Sequence, residues 1–97
     1  HHDWYAIQEE ITGSKEGKIA AAKALGASDD QSSIDLLLRF VDDADDDVVF
    51  AACESLRKVG SEHDTADLLS RMQKIPEDRQ AIRDEIGKTV QELHHRP

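Results

Sequence analysis

Asp43, Asp45 and Asp47, with Glu54 eleven residues beyond the first, have the spacing in this chain most suggestive of chemistry. They fall at positions 1, 3, 5 and 12 of a calcium-binding EF-hand loop, in which carboxylate oxygens wrap one cation. Position 6 of such a loop needs glycine for its sharp turn, and here that residue is Val48. Val48 to Glu54 also reads as helix, which keeps Glu54 from curling back to the aspartates. The acids are therefore expected to start a helix, where carboxylates accept from free N–H groups and face the positive end of the helix dipole. Cys53 could act as a nucleophile, but no histidine stands suggestively near it and no flanking motif accompanies it. His63, His94 and His95 lack metal-ligand spacing, and the five glycines stand singly, so no phosphate-binding loop is present. The expectation is a protein that is not an enzyme and that uses no cofactor or metal.

The elements that hold these residues are helical. Ser33 to Gly60, SIDLLLRFVDDADDDVVFAACESLRKVG, reads as two amphipathic helices folded across an acidic turn. Ile34, Leu37, Leu38 and Val41 recur at i, i+3, i+4 and i+7, one apolar stripe at helical period. Val48, Ala51, Ala52, Ser55, Leu56 and Val59 form the second stripe, with small residues that let backbones approach closely. Before this hairpin, DWYAIQEEIT places Trp4, Ile7 and Ile11 on one helix face, with Asp3 as N-cap. KEGKIAAAKALG follows, capped by Ser14 and ended by Gly26 in a left-handed conformation, as Gly60 is expected to end the hairpin. Ser61 and Asp64 form a capping box for a fifth helix reaching about Lys74. Pro76 suits the first turn of a sixth, with Glu77 and Asp78 at its positive end and Ile82, Ile86, Val90 and Leu93 buried. Gly87 lies inside that helix at a cost of roughly 1 kcal/mol relative to alanine, and nothing in the sequence explains it.

Composition agrees with helices. The 97 residues suit one small domain, and with 38% apolar and 4% aromatic residues its core must be aliphatic and alanine-rich, against the composition of a sheet. Twelve Lys and Arg against 21 Asp and Glu give a net charge of −9, which opposes nonspecific binding to nucleic acid or an anionic membrane. No apolar run approaches the roughly 18–20 residues of a membrane span, and no signal peptide is visible. The single cysteine excludes an internal disulfide and favours a cytoplasmic setting. His1 and His2 read as a possible tag remnant.

The helices repeat. Trp4, Ile34 and Thr65 correspond, as do Ile7, Leu37 and Leu68, and Ile11, Val41 and Met72. KIAAAKAL superposes on VFAACESL at an offset of 31 residues, and Ile82 and Ile86 stand opposite Ala52 and Leu56 in a degenerate third copy. The repeats are placed at about 3–26, 31–60 and 61–94 of a single domain. IDLLLRFVDDADDDVVFAACESLRKVG resembles a HEAT repeat, in particular the HEAT-like repeats first noted in phycobilisome lyases. Asp43, Asp45, Val48, Ala51, Ala52 and Leu56 carry the likeness, and AAAKALG from Ala20 to Gly26 carries it again. The turn lacks the usual proline, and Val49 stands where an arginine is usual. Trp4, Ile7 and Ile11 also have the spacing of a tetratricopeptide repeat, whose small residue, tyrosine and final proline are missing. The resemblance implies an all-α, right-handed solenoid of three hairpins and six helices, its last helix closing the array.

For such a fold the implied role is a protein-binding or scaffolding module. An accessory subunit of a lyase-like enzyme, or a spacer from a larger array, is the alternative. Lys15, Lys18, Lys23, Arg57 and Lys58 lie on the second helices of their hairpins, but they are too few for a nucleic-acid groove. A partner-binding strip on the concave side is expected instead at Ile19, Ala22, Phe50, Cys53 and Arg57, apolar where repeats usually carry polar or basic residues. Its occupant is a protein partner or, by self-association, another copy. Burial of the same residues between repeats is the competing expectation.

Overall fold

The computed structural model describes residues 14–95. The helix expected over DWYAIQEEIT, with Asp3, Trp4, Ile7 and Ile11, lies outside those residues. The described residues form five α-helices: α1 (Lys15–Leu25), α2 (Gln31–Phe40), α3 (Asp46–Val59), α4 (Thr65–Gln73) and α5 (Gln80–His94), with a 3₁₀ turn at Glu62–Asp64 before α4. No strand occurs among them.

Side-chain caps start α1 and α3, whereas α2, α4 and α5 begin without one. The Ser14 side chain accepts from the Gly17 N–H and starts α1. Asp45 accepts from the Asp47 N–H and starts α3, with Asp46 and Asp47 in its first turn and Arg57 and Lys58 in its last. The capping box at Ser61 and Asp64 is present, although it opens the 3₁₀ turn rather than α4 itself. Asp64 is buried and accepts from the Ser61 N–H at 3.0 Å.

Three expectations about helix ends are corrected. Gly26 has φ −65° and Gly60 has φ −74° with ψ 174°, so neither is left-handed. Both are needed for space instead. A Cβ on Gly26 would lie 2.7 Å from Ser55 Oγ, and one on Gly60 would lie 2.7 Å from the Leu56 carbonyl oxygen and 3.1 Å from Leu93 Cδ1. Pro76 does not enter the last helix. The Arg79 N–H donates to the Pro76 carbonyl at 3.0 Å, closing a turn, and α5 begins at Gln80. Glu77 and Asp78 are therefore outside the helix they were expected to start.

Packing follows the apolar stripes. α2 lies against α3 and α4 against α5, forming two hairpins, while α1, α3 and α5 lie side by side with α3 in the middle. Ile34, Leu37, Leu38 and Val41 meet Val48, Ala51, Ala52 and Leu56 in one core, continued by Leu68, Ile82, Ile86 and Leu93. Val90, expected to be buried, is only partly so. Leu37, Leu56 and Leu68 are fully enclosed, each contributing about 1.5–3 kcal/mol by leaving water.

Candidate functional site

The acidic turn between α2 and α3 is a hub of ion pairs. Asp43 accepts from Lys18 Nζ of α1 at 2.7 Å and from its neighbour's Asp45 N–H at 2.8 Å. Lys15, also on α1, reaches Asp47 at 2.8 Å and Asp45 at 3.6 Å. From the other side Arg79 binds Asp46 at 2.7 Å, and Arg71 of α4 pairs with Asp42. Cations that precede and follow the hairpin thus converge on its one turn. Burial alone would push the Asp43 carboxyl up. The hydrogen bonds from Lys18 and the Asp45 N–H, with the Lys18 and Arg79 charges, outweigh it and hold the group below its ordinary value of 3.8. Lys15, exposed on α1, is shifted upward by its hydrogen bond to Asp47 and then by the Asp45 charge. Among the described residues no group of three or more His, Cys, Asp or Glu is arranged to hold a metal ion.

The expected strip is not a continuous surface. Ala22 and Cys53 have no exposed area, and Ile19 and Phe50 are partly buried against the core. The reason is that neighbouring second helices touch along this side. Ser55 of α3 donates to the Ala22 carbonyl at 2.5 Å. Arg57 donates to Glu85 at 2.6 Å and to the Thr89 hydroxyl at 3.1 Å, both on α5, and lies 3.3 Å from Glu92. The strip marks the contacts between α1, α3 and α5, so Ala22, Cys53 and Arg57 hold helices together.

This stacked arrangement agrees with an independent comparison. A family model for HEAT repeats matches residues 7–87. The chain belongs to the HEAT repeats. The match is to HEAT repeats as such and does not single out the phycobilisome-lyase kind. Comparison with curated proteins and with solved structures gives no match.

In this HEAT-repeat chain the one thiol is unsuited to attack. Burial pushes Cys53 up to about 11, a contact with Thr89 pulls the other way, and the Glu85 charge adds to the rise. Such a thiol stays protonated at neutral pH. Among the described residues, His63 and His94 meet other partners: His63 Nδ1 lies 2.9 Å from Ser61 Oγ, and His94 lies 3.9 Å from Glu62.

Sequence reasoning missed which flank of the second helices faces outward. Beyond their first turns, the exposed residues of α1 and α3 are Ala20, Lys23 and Ala24, and Glu54 and Lys58, and those of α5 include Asp84 and Lys88. Lys23, Glu54 and Asp84 each stand one residue after the repeat positions assigned to the strip, a rotation of about 100° around the helix. A signal was available, because these positions carry charge in all three copies.

Proposed function

We propose that this HEAT-repeat chain is a non-catalytic protein-binding module whose docking surface is the outward flank of α1 and α3. HEAT repeats generally mediate contacts between proteins. The observation that carries the reading is the fate of the reactive groups. The acids of the turn are answered by Lys15, Lys18, Arg71 and Arg79, and the thiol is enclosed and protonated. Those side chains position helices, which leaves recognition to the flank bearing Lys23, Ala24, Glu54 and Lys58, with half-buried Phe50 at its edge. Lys15, Lys18 and Arg57, three cations that a nucleic-acid groove would use, are bound to carboxylates, which favours a protein partner.

The test is a charge-reversed pair, Lys23→Glu with Glu54→Lys, compared with the wild-type chain in capture of proteins from the native host. Both residues are exposed, so the melting temperature should be unchanged while the captured proteins are lost. Equal capture by both chains refutes this surface.

A further inference from the structure

The contacts along the second-helix row recur in register. Gly26, at the end of α1, lies against Ser55 of α3, and Arg57 of α3, 31 residues on, binds Glu85 of α5. Thirty residues further the corresponding position is Gly87 of α5, and a Cβ added there would meet nothing within 4 Å. Beside it runs an open groove of about 790 Å³, bounded by Met72 and by Gln80, Arg83, Asp84, Lys88 and Gln91. The groove lining also includes Glu77, so its two acids balance its two cations on a chain whose net charge is −9. Two like-charged copies repel each other least across such a face.

We propose that this face of α5 seats the α5 of a second copy, antiparallel, with the two helices crossing at Gly87. A twofold interface places the same surface on both chains, and Gly87 is the midpoint of Gln80–His94. Antiparallel alignment about that midpoint sets Arg83 opposite Gln91 of the second copy and Gln80 opposite His94, with Asp84 within a turn of Lys88. Each pairing can form a hydrogen bond or ion pair. A parallel alignment would oppose Arg83 to Arg83 and Asp84 to Asp84. The glycine lets the two backbones approach closely, giving the helix-interior Gly87 a use that the single chain does not supply. The two proposals rest on different helices, this one on α5 and the docking surface on α1 and α3, so either can fail without the other.

Sedimentation equilibrium on the full chain at roughly 0.15 M salt, where long-range repulsion is screened, tests the proposal. From about 1 μM to about 1 mM, the range expected for a small, largely polar interface, the chain should pass from monomer to dimer. Gly87→Leu has room in the monomer, so it should fold normally and weaken the dimer at least tenfold. Gly87→Cys chains should cross-link to one another under mild oxidation, since Cys53 is buried. A monomer at every concentration overturns the proposal. So does a dimer that Gly87→Leu leaves unchanged, or one whose Gly87→Cys form does not cross-link.

Discussion

At Cys53 a small sulfur fills space between α3 and α5, and its enclosure sets its chemistry. With the thiol held up at about 11, an aromatic disulfide reagent at pH 8 should leave the folded chain unlabelled and react only after denaturant is added. Rapid labelling of the folded chain would show that α3 and α5 do not cover it. Asp43 is shifted the opposite way, below 3.8, so its charged form stabilises the fold. That stability is fully present above the ordinary value and disappears as pH falls through the lowered one. Asp43→Asn should therefore cost about 1 kcal/mol at pH 7, the upper end for a surface pair, and the loss relative to wild type should vanish in strong acid. The glycines separate by surroundings. Gly60→Val forces atoms against Leu93 and the Leu56 carbonyl, and should lower stability by roughly 1–3 kcal/mol through overpacking. Gly87→Ala, in open space, should raise it by about 1 kcal/mol. Denaturant midpoints of the two variants check both signs.

Among the elements, the acidic turn shows how far the sequence could be read. Its helix-starting role was legible because Val48 blocks a calcium loop and the apolar stripes resume on either side of it. Its cations were not, because Lys15, Lys18, Arg71 and Arg79 lie 25 to 33 residues from their partners along the chain and no local pattern pairs them. With the carboxylates directed at separate cations, calcium calorimetry should show no site tighter than about millimolar, the weak end of protein calcium sites. A micromolar isotherm abolished by Asp45→Ala would contradict this. The same limit explains the strip. Period alone identifies the buried stripe of α1 and α3, but their two flanks differ only in what packs beside them. Ala22 and Cys53 are small because α3 and α5 come close, and smallness and apolarity read equally well as a docking patch. Gly26 and Gly60 misled similarly, since a glycine ending a helix suggests a left-handed cap when the crowding neighbour, Ser55 or Leu93, is remote in sequence.

Over the whole molecule, α3 is shared by every layer: α2 packs on one side of it, and α1 and α5 flank it in the second-helix row. Arrays in which each unit meets only its neighbours can in principle unfold piecewise. Here the contacts with α1, Ser55 to the Ala22 carbonyl and Asp43 to Lys18, issue from the hairpin that also holds α5 through Arg57 and Glu85. Damage to one contact should therefore be felt at the other end. Glu85→Gln tests this. The Arg57–Glu85 pair is largely covered, with side-chain exposures of 24% and 14%, so its loss falls between that of a surface pair and a buried one, about 1–2 kcal/mol. Native-state amide exchange reads the opening energy helix by helix. If the described helices open as one unit, amides in α1 should exchange roughly tenfold faster in the variant, as should those in α5, since about 1.4 kcal/mol is a factor of ten. Faster exchange confined to α4 and α5 would show that the last hairpin opens alone, and that the shared position of α3 does not couple the two ends.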